Sequence, residues 1–126
     1  MCKSIVVDAN VILRYLLKDN EIFFKEALSL FDQALKGDIE IIIEQIILCE
    51  VIYVLEKVYR VPKGDISNIV KGLISQKGIK LDNKDNILKA LDIYSNKNID
   101  FADSILCAMA ECFQVKTFDK KLNNCI

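Results

Sequence analysis

The 126-residue sequence predicts an α/β protein: one domain, residues 1–126, folded as a three-layer α/β/α sandwich around a central parallel sheet. Three observations carry this expectation. Short apolar runs rich in β-branched residues alternate with longer stretches of helical period along the chain. The first of these runs, residues 5–7, is apolar at every position, as expected of a strand covered on both faces. No repeat, low-complexity tract or linker divides the sequence, and its length suits one core.

The elements follow in order. Residues 5–7 (Ile-Val-Val) read as the first buried strand, and 11–17 as a short helix that Asp8 or Asn10 can cap. Residues 21–36 carry helical spacing through Ile22, Phe23, Ala27, Leu28, Phe31 and Leu35, with Gly37 as the stop. A second strand covers 39–43. Residues 45–59 form a helix apolar on nearly every face, broken by Val61-Pro62. A more polar helix at 63–76 ends before Gly78, a short edge strand fits 79–81, and an amphipathic helix fits 83–95. Residues 100–113 are a helix with a strong start signal, 115–118 read as the last strand, and 119–124 as a short closing helix.

Composition narrows the function. Apolar residues make up 52% of the chain and charged ones 28%, which argues against disorder. The net charge of −1 removes the broad electrostatic footprint of a protein that grips nucleic acid along its whole surface, so any such contact is local. The five cysteines (Cys2, Cys49, Cys107, Cys112, Cys125) are scattered without a C-x-x-C pair, which suits neither a zinc site nor a disulfide framework. A reducing, cytoplasmic setting is therefore expected. No apolar run has the length of a membrane span, and Asp8 and Asn10 cut the first apolar segment too short for a signal peptide. Histidine is absent, which excludes hydrolases and ribonucleases that use it as a base.

Four acids stand where acids are costly: Asp8 ends one apolar run, Glu50 interrupts another, Asp103 opens a third and Asp119 ends the fourth. In a parallel sheet the binding crevice lies at the carboxyl ends of the strands, where strand order reverses. Asp8 and Asp119 each follow a strand. Glu50 lies near the start of the helix after the second strand, and Asp103 in the first turn of the helix before the last. All four are expected at one edge. Two like charges ~4 Å apart repel by about 4 kcal/mol at an effective dielectric of about 20, so such a cluster calls for a cation. With no imidazole available, a hard divalent ion on carboxylate oxygens is the simplest solution. Each acid also has a plainer explanation. Asp100-x-x-Asp103 fits helix capping, Asp119 fits a cap for the last helix, Asp8 fits a strand-to-helix turn, and Glu50 fits a salt bridge to a lysine.

The motifs match a known pattern. Val7-Asp8-Ala9-Asn10-Val11-Ile12-Leu13-Arg14 resembles the opening motif of PIN domains, and Glu50-Val51-Ile52-Tyr53-Val54-Leu55 their second acidic motif. Ile99-Asp100-Phe101-Ala102-Asp103-Ser104-Ile105-Leu106 resembles the third, and Thr117-Phe118-Asp119-Lys120 the fourth. The likeness is strongest to VapC-type toxins of toxin–antitoxin pairs. It implies an endoribonuclease dependent on Mg²⁺ or Mn²⁺, acting on an RNA substrate as a homodimer held in check by a VapB-like antitoxin. It puts the acidic site on Asp8, Glu50, Asp103 and Asp119, with Asp100 a further metal ligand ranked below Asp103, and Asn10 and Thr117 as supporting polar residues. Family members usually continue past the fourth motif into a final edge strand; this sequence stops at Ile126, so that strand is expected to be missing.

The expected chemistry is in-line attack of water on a phosphodiester, with metal held by Asp8, Asp103 and Asp119, and Glu50 positioning a water or accepting its proton. Asn10 and Thr117 steady the carboxylates. Arg14, Lys116, Lys120 and Lys121 lie close enough in sequence to meet RNA phosphates, or are plain solvated cations. The alternative from another class is a non-catalytic RNA-binding or regulatory module with the same fold. A haloacid-dehalogenase-type phosphatase needs a second Asp where Asn10 stands. A receiver domain wants two adjacent acids after the first strand, where only Asp8 is found.

Overall fold

The computed structural model describes residues 3–126, so Met1 and Cys2 lie outside the described residues. Three strands form one parallel sheet in the order β1-β2-β3: β1 Lys3–Val6, β2 Ile39–Ile42 and β3 Ile79–Lys80. The register sets Ile5 opposite Ile41, and Ile41 opposite Ile79. Ile41, at the middle of this row, is fully buried. Parallel strands need crossovers, and each crossover here is a pair of helices. Helices α1 (Ala9–Leu17) and α2 (Glu21–Leu35) join β1 to β2; α3 (Gln45–Lys57) and α4 (Lys63–Ile74) join β2 to β3. Beyond β3 the chain is helical: α5 (Lys84–Asn96), α6 (Phe101–Met109) and α7 (Lys120–Cys125). The arrangement is an α/β/α sandwich, as the alternation predicts.

Local sequence explains the starts and stops. Asp8 caps α1, Asn20 caps α2, Asp100 caps α6 and Asp119 caps α7, each with a side-chain oxygen accepting an amide of the first turn. Gly37 takes a left-handed φ of 88° after α2. The main core lies between the sheet and its helices, around Ile12, Ile41, Leu48, Ile52, Ile66 and Leu91, all fully or almost fully buried. Tyr15 stacks on Phe31 across α1 and α2 at 4.1 Å between ring centres.

Three expectations need correction. The strand expected at 115–118 is not formed among the described residues, and the sheet ends at β1. A parallel strand needs a hydrogen-bonding neighbour and cover on both faces. Here Phe118 is 94% exposed, and α7 folds back onto α6. Without that strand the described sheet has no reversal of strand order. Second, the cysteine spacing hides a disulfide: Cys107 in α6 is bonded to Cys125 at the end of α7, beside Ile99 and Leu122. The two positions lie 18 residues apart on separate helices, so no spacing motif reports them. Cys49 and Cys112 are free thiols. The bond removes the cysteine argument for a reducing setting. Third, the first strand is not buried: β1 lies at the edge of the described sheet and Val6 is 64% exposed. In α3, Leu48, Val51, Ile52 and Leu55 are buried, while Ile46 and Tyr53 are exposed. Among the described residues no helix is long and apolar enough to cross a membrane.

Candidate active site

Asp8 and Glu50 reach the carboxyl edge of the sheet by the expected route. Pairing between β1 and β2 extends to the bond from the Val7 amide to the Ile42 carbonyl at 3.3 Å, and Asp8 follows at once. Its Oδ1 accepts the Val11 amide at 3.1 Å, which orients the carboxylate over the first turn of α1. Glu50 lies in the second turn of α3, which starts directly after β2. It is exposed, on the same side as Ile46 and Tyr53. The apolar residues flanking it in sequence therefore do not bury it, since Ile46 is itself 76% exposed.

Asp103 and Asp119 arrive by a different route. With no strand at 115–118, packing alone places α6, against α5 and α3. Asp100 Oδ1 accepts the Asp103 amide at 2.8 Å, and Asp119 Oδ1 accepts the Leu122 amide at 2.9 Å. The Thr117 hydroxyl oxygen in turn accepts the Asp119 amide at 3.0 Å. Capping thus accounts for one oxygen of Asp8, Asp100 and Asp119, as the plainer readings hold. A carboxylate has acceptor capacity beyond one such bond.

Of the four acids only Asp103 is half-buried; Asp8, Glu50 and Asp119 are exposed, contrary to the idea that all four sit in apolar surroundings. Burial pushes the Asp103 carboxyl above its ordinary value, and the negative charges of Asp100 and Asp119 push it further. Burial likewise raises the Cys49 thiol, with Asp100 adding to it. Asp100 therefore faces both α6 and the segment of α3 next to Glu50, and α3 also packs on α1, which Asp8 caps. The structure brings Asp100, Asp103 and Asp119 within electrostatic reach of one another. Among the described residues, however, no three acids or cysteines are gathered closely enough to share a metal ion.

Two of the four candidate cations are engaged. Arg14 Nη1 pairs with Asp19 Oδ1 at 3.0 Å, and Lys116 lies over the Phe118 ring at 5.0 Å. Lys120 and Lys121 are exposed in the first turn of α7. Asn10 is exposed and lines, with Asp8 and Arg14, a cavity of about 510 Å³ between α1 and α2. Phe23 and Glu26 also line that cavity, and neither is a site residue in the sequence analysis. It placed Phe23 in the apolar stripe of α2. A signal was available: Ile22-Phe23-Phe24 puts three large apolar side chains in a row, more than one helical face can bury. Ile22 and Phe23 are left exposed.

The PIN domain family model matches the chain over residues 5–124. The chain belongs to the PIN domain family. PIN domains are generally nucleases and generally use divalent metal ions. No curated protein and no solved structure matches this PIN domain significantly.

Proposed function

We propose that this PIN domain is an endoribonuclease dependent on Mg²⁺ or Mn²⁺, acting as the toxin of a VapBC-type toxin–antitoxin pair. The observation that carries the reading is Asp103: a half-buried carboxylate with two further acids acting on it, in a domain whose relatives cut nucleic acid. An all-oxygen donor set without histidine suits a hard divalent ion, and a carboxylate disfavoured by its neighbours gains from one. Asp8, Asp103 and Asp119 would hold the ion, with Asp100 available as a further ligand. Capping fixes the carboxylates of Asp8, Asp100 and Asp119 without metal; closing the remaining separation is left to binding. When bound, the ion supplies charge neutralisation at the phosphate and a water of lowered pKa.

The chain's own groups do the rest. Asp100 and Thr117 hold the backbone at Asp103 and Asp119 through the amides they accept. Asn10, two residues beyond Asp8, steadies its carboxylate. Glu50 is exposed and accepts the proton of the attacking water. Lys120 and Lys121, with Arg14 and Lys116, meet phosphates of the RNA strand. The chain pairs with a second copy of itself, and a VapB-like antitoxin restrains the enzyme. Light scattering across concentration tests the dimer.

A non-catalytic RNA-binding module is the second reading, favoured by the spacing of the acids, no three of which are gathered among the described residues. Cleavage decides between the two. Purified protein incubated with single-stranded and structured RNA should cut it with Mg²⁺ or Mn²⁺ and not with chelator, and Asp8→Asn should abolish the cut. Equal activity in Asp8→Asn overturns the assignment.

A further inference from the structure

We infer that the cavity between α1 and α2 is a nucleobase subsite, in which a base of single-stranded RNA stacks on Phe23 and offers an exocyclic amine to Glu26. The inference rests on the nuclease reading only for the step that follows binding. Phe23 is 51% exposed although it is a large aromatic in the first turn of α2. The Asn20 side chain accepts its amide at 3.0 Å, which fixes the backbone beneath the ring. The Arg14 guanidinium lies 5.7 Å from the ring centre and is itself held by Asp19. The guanidinium thus lies over the ring of a half-exposed aromatic, a cation–aromatic pair of the kind on which unpaired bases stack.

The other lining groups say what such a ligand must carry. Glu26, one turn beyond Phe23, is an exposed acceptor, and Asp8 also lines the cavity. Two carboxylates repel a phosphate entering the cavity but accept N–H donors from a base edge. The core of a protein–protein interface is depleted in charged residues, so this lining favours a base over a second copy of the chain. Asp8 borders the cavity, so a base seated here sets its own phosphate beside the proposed site. Adenine, cytosine and guanine carry the amine; uracil lacks it.

The chain contains no tryptophan, so Phe23→Trp supplies a single indole at that position. Titrating this variant with oligoadenylate, oligocytidylate and oligouridylate, in chelator to prevent cutting, should quench its emission to saturation, with oligouridylate weakest. Adding Glu26→Gln should level the three. In the otherwise unchanged protein with metal, Phe23→Ala should raise KM for short RNA by about tenfold and leave kcat nearly unchanged. Emission that ignores all three RNAs, or that shifts with protein concentration alone, overturns the subsite; the second result marks the cavity as a contact between copies. Should Phe23→Trp fail to fold, an unchanged KM in Phe23→Ala overturns it equally. Saturable quenching with no cleavage by the unaltered protein would leave the subsite standing and remove the nuclease reading. Cleavage with no quenching would do the reverse.

Discussion

Asp100 accepts the backbone amide of Asp103 at 2.8 Å while its charge disfavours the Asp103 carboxylate. The same residue therefore starts α6 and loads its first turn with repulsion. Without metal, Asp103→Asn should melt at or up to a few degrees above the unaltered protein, because one charge of a like-charged set is removed. With millimolar Mg²⁺ or Mn²⁺ the order should invert, because stabilisation by ligand binding is lost. Scanning calorimetry with and without each ion reads both signs, and a melting temperature of the unaltered protein indifferent to both ions counts against the site.

Removing Asp100 should act differently. Asp100→Ala deletes the cap of α6 and should cost about 1 kcal/mol of stability, offset in part by relief at Asp103. Asp100→Asn keeps a capping oxygen and removes the charge, so it should be more stable than Asp100→Ala. Urea denaturation of the pair separates capping from charge, and equal midpoints would deny the cap its role.

A second prediction concerns acid stability. Tyr94 is buried and donates its hydroxyl to Glu56, which also pairs with Lys57 at 2.9 Å. Burial alone would raise Glu56, but the hydrogen bonds from Tyr94 and Lys57 outweigh it, and the carboxyl ends below its ordinary value. A carboxyl lowered in the folded state adds stability above the unfolded value of about 4.3, and that contribution is lost as pH falls through the lower folded value. Tyr94→Phe should cost about 1 kcal/mol at pH 7 and progressively less below pH of about 4. Denaturation midpoints measured across pH check the slope; a penalty that grows on acidification contradicts the pairing.

The disulfide gives the third. Cys107 and Cys125 close a loop of 18 residues that contains Thr117 and Asp119 and ties α7 to the helix bearing Asp103. Constraining a loop of this size in the unfolded chain is worth about 3 kcal/mol. Cys125→Ser, or reduction by dithiothreitol, should lower stability by that order. Cys112→Ser, at an exposed free thiol, should change little. Melting with and without reductant tests it, and a reductant-insensitive transition in the bonded form would deny the bond a stabilising role.

What the sequence made legible follows from what its patterns measure. Ile5 to Val7 could be read as a strand because an unbroken β-branched run has few other uses, and the run from Ile39 because only Glu40 interrupts it; the structure pairs them, with Val6 exposed at the sheet edge. The helices from Glu21, Gln45 and Lys63 began as expected because Asn20 supplies a cap and Pro62 a preset φ just before the helix. Val115 to Phe118 carries a strand pattern too, but a pattern cannot show whether a partner edge and a covering layer exist. Glu50 reaches the expected edge but is not buried, for a related reason: its neighbours at helical spacing are apolar, yet Ile46 is itself exposed, so they do not cover it. Asp103 meets Asp119 through packing of α6 and α7, which no local pattern encodes. That is also why the Cys107–Cys125 bond escaped notice.

The last prediction concerns the joint between α2 and β3. Gly37 and Gly78 both take left-handed backbone, with φ of 88° and 87°, so each disfavours a side chain to a similar degree. Their surroundings differ. A Cβ at Gly37 meets no atom within 4 Å, whereas one at Gly78 would lie 2.5 Å from the Ala34 carbonyl oxygen and 2.8 Å from its Cβ. Backbone cannot yield as a side-chain tip can, and the Gly78 carbonyl also accepts the Ile41 amide at 2.8 Å, holding β3 to β2. Gly37→Ala should therefore cost about 1 kcal/mol, the conformational part alone. Gly78→Ala should cost about 3 kcal/mol or more, because strain and a displaced ladder add to it. Equal denaturation midpoints for the two variants would mean that β3 can move away from α2 freely, and that the close approach at Ala34 does not anchor the third strand.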